Sequence, residues 1–317
     1  MQKILVTGCA GFIGSNLVNR LLKEGKEIVG IDNFNDYYDP KLKERNIVKA
    51  LDNKRFLLYR GDILDYGSLL EIFKTQNVTN VIHLAARAGV RPSIDDPLLY
   101  AKVNVEGTIN LLKLSAENGV RQFIFGSSSS VYGNSNSLPF LENDLCQNII
   151  SPYGATKRAA EFFVESFFRN FGLKSVILRF FTVYGPGGRP DMAPALFTRA
   201  IWQGEEISKF GKGNSARDYT YIEDIIEGIA ATLVKEPDFD VINLGNNNPV
   251  ELNEFIKTIE EICGKKAKIR QVPPQSGDSE KTWANIEKAK RVLGWEPKTK
   301  LKEGMQKYFE WYKNYEK

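Results

Sequence analysis

The sequence predicts an α/β fold: a doubly wound parallel sheet with a smaller α/β unit after it. Apolar runs of four to seven residues alternate with longer stretches of helical period, and a glycine-rich loop opens the first of those stretches. Lys3–Thr7 reads as the first strand because Ile4, Leu5 and Val6 run together without a polar break, as a strand covered on both faces requires. Residues 12 to about 23 follow with helical period. Glu27–Ile31, Phe56–Arg60, Asn80–Leu84, Gln122–Gly126 and Ser175–Phe180 repeat the strand pattern, and the helical stretches between them, Asp95–Asn118 and Tyr153–Phe171 among them, cover both sheet faces. Past Phe181 the spacing changes: Pro and Gly crowd Tyr184–Pro194, and shorter elements follow. The expected division is residues 1–180 as the first domain and 181–317 mainly as a second, ligand-side domain. Residues 218–246 are expected to return to the first, since Tyr221–Val234 reads as another covering helix and Val241–Leu244 as another strand.

Composition narrows the functional classes. The 317 residues are 42% hydrophobic and 26% charged, enough for a large core and unlike disordered, collagenous or disulfide-scaffold chains. Lys and Arg number 43 against 39 Asp and Glu, and no run of five or more basic residues concentrates the excess, so neither nucleic acid nor a membrane is suggested as a partner. Cys9, Cys146 and Cys263 are odd in number and widely spaced, so no disulfide framework and no metal site are expected, and a reducing cytosol fits best. The apolar run after Met1 is too short for a signal peptide, and nowhere do 18 apolar residues run together. A cytoplasmic protein is expected.

Gly8-Cys9-Ala10-Gly11-Phe12-Ile13-Gly14 sits directly after the first strand and opens a helix. Glycines there serve a tight turn, close backbone approach to a pyrophosphate, and packing of helix on strand. Asp32 ends the second strand 18 residues beyond Gly14, placed to accept from a ribose 2′-hydroxyl, and together these features mark a Rossmann dinucleotide site. The next residues, Asn33-Phe34-Asn35, bring no Arg or Lys to a 2′-phosphate, so NAD is favoured over NADP. Asp62 and Ile63 after the third strand, and Leu84, Ala85 and Ala86 after the fourth, fit the same cofactor or plain strand-end packing. His83, the only histidine, lies in an apolar strand and reads as a satisfied, half-buried residue before a catalytic one.

Tyr153 and Lys157 stand one turn apart at the start of a helical run, on one face. For a tyrosine of ordinary pKa near 10 to act as base at pH 7, its pKa must fall by about 3 units, or about 4 kcal/mol. A desolvated Lys⁺ and a cationic nicotinamide are the charges that could do this. The hydroxyl cluster Ser127-Ser128-Ser129-Ser130 follows the fifth strand, at the carboxyl edge where ligands bind, and Ser128 can hold the oxygen that Tyr153 deprotonates.

The loop Gly8–Gly14, the cluster ending Ser130-Val131-Tyr132-Gly133, and Tyr153 with Lys157 resemble the extended short-chain dehydrogenase/reductase family that acts on nucleotide sugars, over essentially the whole chain. The resemblance implies bound NAD, a UDP-sugar substrate and a homodimer through a four-helix bundle. The bundle would cover Leu98, Leu99, Val103, Ile109, Leu111 and Leu112 in one helix and Phe162, Phe163, Phe167 and Phe168 in the other, although further cover within the chain would also serve. It further implies Arg217 on the diphosphate and Gln275 and Asp278 in a uridine loop, in which a common Asp is here Asn285. Dehydratases of the family carry an Asp-Glu pair where this chain has Ser129 and Ser130, so 4-epimerisation without net cofactor turnover is expected.

Arg179-Phe-Phe-Thr182-Val-Tyr184-Gly-Pro-Gly-Gly-Arg189-Pro-Asp191-Met-Ala resembles UDP-glucuronate 4-epimerases more than UDP-glucose 4-epimerases, which have Asn at the place of Thr182. A glucuronosyl carboxylate wants a planar cationic fork and hydroxyl donors, which Arg189, Thr182, Ser129 and Ser130 could supply. One such charge-assisted bond is worth about 1.5–3 kcal/mol. Arg189 could instead be a surface loop residue, and Arg91 a second substrate cation or a helix cap. A UDP-glucose or UDP-N-acetylglucosamine epimerase, and more remotely a non-catalytic NAD-binding regulator, remain the competing readings.

Overall fold

A computed structural model describes residues 2–135, 137–273 and 280–315. Strand β1 (Lys3–Thr7) leads through the glycine loop into helix α1 (Phe12–Lys23), followed by β2 (Glu27–Asp32), α2 (Pro40–Leu51), β3 (Phe56–Arg60), α3 (Tyr66–Gln76) and β4 (Asn80–His83). The stretch expected as one helix over Asp95–Asn118 is broken. Helix α4 (Val90–Asp95) stops where Pro97 keeps Asp96 out of helical geometry, and the Asp96 carboxylate caps α5 (Pro97–Ala101) at Leu99 N–H. A wide π turn at Lys102–Glu106 then passes into α6 (Gly107–Glu117). Strand β5 (Gln122–Ser128) and helix α7 (Pro152–Phe171) follow; Ser151 caps α7 by accepting from Gly154 N–H, Pro152 occupies the first turn, and Gly172 closes it in the left-handed region. Strand β6 (Ser175–Phe180) completes the expected set.

Strands β7 (Thr182–Tyr184), β8 (Glu206–Phe210) and β9 (Ala216–Tyr221), with helix α8 (Ala193–Gln203) between the first two, come next. After them run α9 (Ile222–Lys235), β10 (Phe239–Leu244), β11 (Pro249–Glu251), α10 (Leu252–Cys263), β12 (Lys268–Val272), α11 (Glu287–Leu293) and α12 (Leu301–Tyr315). The large sheet is parallel throughout, in the order β10-β6-β5-β4-β1-β2-β3. Strand β9 does not join it: β9 lies between β11 and β7 in a small sheet, while β8 and β12 form a parallel pair.

Alternate residues of the central strands divide the core between the two faces. Ile4, Val6, Ile124 and Leu178 pack with α1 and α9, whereas Leu5, Phe123, Phe125 and Ile177 pack against α3, α6 and α7. Strands buried on both faces need this unbroken apolar run, and the first turn past their carboxyl ends is left to carry polar groups. The glycine loop, the serine cluster and the residues after β3 and β4 lie at those strand ends, and Tyr153 and Lys157 in the first two turns of α7.

Candidate active site

One cavity of about 980 Å³ runs along the carboxyl ends of the large sheet, near the top of the ~300–1,000 Å³ range of ligand sites. Its cofactor end is built by the glycine loop. Gly8 has φ +68°, and a side chain there would press on the backbone of Ala85; a Cβ on Gly14 would come within 2.0 Å of the Gly8 carbonyl. Gly11 N–H closes the turn on that same carbonyl at 3.1 Å. Phe12 and Ile13 line the cavity beside them, as do Asp62, Ile63, Leu84, Ala85 and Ala86. The Asp32 carboxylate, at the end of β2, accepts from Ala10 N–H and Phe34 N–H, while Asn33 donates to Asp62 at 2.8 Å. Lys43, which sequence reasoning passed over, is buried in the same wall and donates to Asn35; its distance along the chain from Asp32 hid it.

His83 is fully buried rather than half-buried. Thr108 Oγ1 gives its proton to Asn104 O, so His83 Nε2 donates to Thr108 and Nδ1 accepts from Thr7. Thr7 Oγ1 in turn accepts from Leu84 and Ala85 N–H, which fixes the loop after β4. Burial, with the Lys157 charge, holds the imidazole well below its ordinary pKa, so it is a neutral brace. Asn104, in the π turn, is another brace with no sequence signal: it bonds both backbone groups of Arg87 and the hydroxyl of Thr156 in α7.

At the centre, Tyr153, Lys157 and the serine turn converge as the sequence suggested. Ser128 faces the Tyr153 phenol, whose pKa it draws down, donates to Ser130 Oγ at 3.2 Å and caps the short turn Ser129–Tyr132 at Ser130 N–H. Ser129 and Ser130 line the cavity, but Ser127 also bonds inward, to Glu161 at 2.6 Å. Lys157 lies under Tyr153 with its ammonium 4.4 Å from the Phe125 ring centroid. Burial pushes the Lys157 pKa down to about 7, opposed by Glu161 one turn further along α7. Burial also pushes the Tyr153 phenol up, against Ser128 and Arg189. The protein alone therefore supplies less than the lowering that a tyrosinate base requires, and the remaining charge must arrive with a ligand.

Thr182, Arg189, Arg91 and Arg217 all line the substrate end. Arg189 is not a solvated surface residue: it pairs with Asp191 and bonds Tyr37, two partners the sequence reading did not single out. The N-terminal cap of the helix after Asp95 is the Asp96 carboxylate; Arg91 lies at the start of α4 over the Phe210 ring, 5.0 Å from its centroid. Arg217 donates to the carbonyls of Ala216 and Glu280. Gln275 and Asp278 lie outside the described residues. Asn285, the departure from the common Asp, accepts from Glu287 N–H at the start of α11. Among the described residues, no group of His, Cys, Asp and Glu could hold a metal, and no helix is long and apolar enough to cross a membrane.

A glycine cradle, a strand-end carboxylate, and a Ser-Tyr-Lys group at one carboxyl edge define an extended short-chain dehydrogenase/reductase that modifies nucleotide sugars. The family model described as GDP-mannose 4,6 dehydratase matches residues 5–308, and the chain belongs to that family. It is 43% identical to a UDP-glucuronate 4-epimerase of Thermodesulfobacterium geofontis over 99% of this chain and 97% of the relative. Among solved structures, the UDP-glucuronic acid 4-epimerase of Bacillus cereus in complex with UDP-glucuronic acid and NAD superposes with a TM-score of 0.92 at 37% identity, covering 99% of this chain and 100% of that one. The UDP-glucose 4-epimerase of Thermotoga maritima with UDP-glucose gives 0.93 at 34% identity, covering all of both chains.

Proposed function

We propose that the chain interconverts UDP-glucuronate and UDP-galacturonate by NAD-dependent inversion at carbon 4. The carrying observation is the cavity centre, where Tyr153 meets Ser128 above Lys157, with serines at 129 and 130 and Arg189 in the same wall. The cradle fits NAD: Gly8 and Gly14 clear the backbone for a pyrophosphate, and Asp32, Asn33 and Asp62, which line the same end of the cavity, are the polar groups that would meet its adenosine half. Held by the glycine loop and Asp32, NAD would supply the acceptor and then the donor for the carbon-4 hydride.

Tyr153 Oη takes the proton of the sugar 4-hydroxyl and later returns it, while Ser128 holds the same oxygen. Protonated Lys157 favours the phenolate that takes this proton and that is restored when the proton is returned; between the two events Tyr153 is the neutral phenol. Ser129 and Ser130 are neither acid nor base at neutral pH, so they offer the 4-keto sugar no route to loss of water. Arg189, with Thr182 and the two serines, meets the sugar carboxylate, and Arg217 the diphosphate. Gln275 and Asp278 remain candidates for the uridine.

Incubation with UDP-glucuronate and, separately, UDP-glucose, followed by NMR of the sugar C4 configuration, tests the reading. UDP-galacturonate in excess of UDP-galactose is expected; the reverse would favour a UDP-glucose 4-epimerase, to which the Thermotoga maritima likeness gives weight.

We further propose a homodimer in a reducing cytosol. Leu111 and Leu112 are covered within the chain, but Leu98 is 81% exposed and Phe162 55%, leaving apolar surface on α5 and α7 for a second copy. Sedimentation should give twice the chain mass at micromolar concentration, and a monomer there would overturn it.

A further inference from the structure

Asp191 engages Arg189 in the manner of a ligand carboxylate. Arg189 donates from Nε to Asp191 Oδ1 at 3.0 Å and from Nη2 to Oδ2 at 2.6 Å, a bidentate pair two residues apart. Tyr37, reaching across from the segment after β2, donates its hydroxyl to Asp191 Oδ2 and accepts from Arg189 Nη2 at 3.1 Å. Its ring lies 5.1 Å from the guanidinium. The two charges are unequally set. The Arg189 side chain is 17% exposed, fixed in the wall against Tyr37 and Gly89, whereas that of Asp191 is 43% exposed on the rim. An anion on the rim recovers hydration when it swings out; a cation in the wall has no such escape.

We propose that Asp191 is an internal stand-in for the substrate carboxylate: it neutralises and orients Arg189 in the empty site and yields part of the guanidinium fork to an acidic sugar. This rests on the reading that Arg189 receives the glucuronosyl carboxylate. A neutral hydroxymethyl group cannot displace a carboxylate from the fork, so the Arg189–Asp191 pair stays closed to neutral sugars and opens only to acidic ones. Asp191 thereby tunes how tightly an acidic sugar is held, and Tyr37 steadies the closed state.

The test compares KM and kcat for UDP-glucuronate and UDP-glucose in the NAD-loaded enzyme and three variants, with folding checked by circular dichroism. Asp191→Asn, which keeps shape but not charge, is expected to lower KM for UDP-glucuronate about tenfold with little change in kcat and none in KM for UDP-glucose. Tyr37→Phe should shift the same KM in the same direction by less. A KM for UDP-glucuronate that is unchanged or raised in Asp191→Asn, or equal shifts for both sugars, would overturn the proposal and leave Asp191 a prop. Arg189→Ala tests the underlying reading separately: it should raise KM for UDP-glucuronate selectively, and an unaltered ratio between the two sugars would remove Arg189 from carboxylate binding whatever Asp191→Asn does.

Discussion

Glu161 and Arg179 meet fork to fork below Lys157, Nε to Oε1 at 3.0 Å and Nη2 to Oε2 at 2.8 Å, with each side chain about 1% exposed. The carboxylate also accepts from Ser127 and from Arg158, so one buried anion ties the end of β5, the end of β6 and the face of α7 that carries Tyr153 and Lys157. Breaking such a pair from one side leaves an uncompensated buried charge, which costs about 3–5 kcal/mol. Glu161→Ala is therefore expected to lose stability on that scale, read as a fall in the urea midpoint at unchanged slope.

The same pair makes the fold acid-sensitive. Burial pushes the Glu161 carboxyl up, but Arg179, Ser127 and Arg158 together outweigh it and hold the group below its ordinary value. A carboxyl whose folded pKa is depressed contributes stability that is full above the unfolded value of about 4.3 and is lost as pH falls through the folded one. Urea midpoints should fall below about pH 4 in the wild type, and more shallowly in Glu161→Gln.

Lys157 carries the opposite cost. Its folded pKa of about 7 lies below the unfolded value near 10.4, so the unfolded chain binds more protons between the two and stability rises with pH across that window. Lys157→Met should stabilise the cofactor-free protein near pH 7 by up to about 4 kcal/mol and flatten that rise, while turnover is lost. Differential scanning calorimetry of NAD-free protein from pH 7 to pH 10 checks both.

Tyr153 is protonated in the cofactor-free chain, since burial outweighs the help of Ser128 and Arg189. Activity is expected to rise with pH as the loaded site deprotonates it. Tyr153→Phe should lower kcat by about 10²–10⁴-fold with substrate affinity retained, and Ser128→Ala by about tenfold. Stopped-assay kcat against pH, with substrate Kd by calorimetry, separates chemistry from binding; a Tyr153→Phe enzyme of normal kcat would move the base elsewhere.

The first six strands of the large sheet were legible because each is built on a short apolar run, and the glycine loop because its three glycines follow a strand at once. The partners of the site residues were not, for two physical reasons. Tyr37 stands more than 150 residues from Arg189, and only the topology brings the segment after β2 against the segment after β7. Glu161 reads as an ordinary helix charge, yet a signal existed: it continues the Tyr153–Lys157 face at the same four-residue spacing, and Arg179 sits inside the apolar run Val176-Ile-Leu-Arg-Phe-Phe, where a cation needs a buried partner. Residues 218–246 return to the first sheet through α9 and β10, which pairs with β6 as the helical period and the run Val241–Leu244 suggested, whereas β9 just before them pairs with Thr182–Tyr184 instead. The break at Asp96 was written in its following proline and was outweighed in the reading by the apolar period on either side.

Gly14 puts the cofactor reading to its most direct test. A Cβ there would lie 2.0 Å from the Gly8 carbonyl oxygen and 2.8 Å from its carbon, and both contacts are backbone, so the loop has to open to admit it. Gly119 serves as the control: it also has positive φ, at +68°, but nothing lies within 4 Å of an added Cβ. Gly119→Ala should thus cost only the left-handed strain, about 1–2 kcal/mol, with bound NAD unaffected. Gly14→Ala should lose NAD, measured as the nucleotide released on denaturing the purified protein, beyond any loss of stability. If both variants kept NAD alike, the loop would be a packing turn and the dinucleotide would have to be held from the Asp32 side alone.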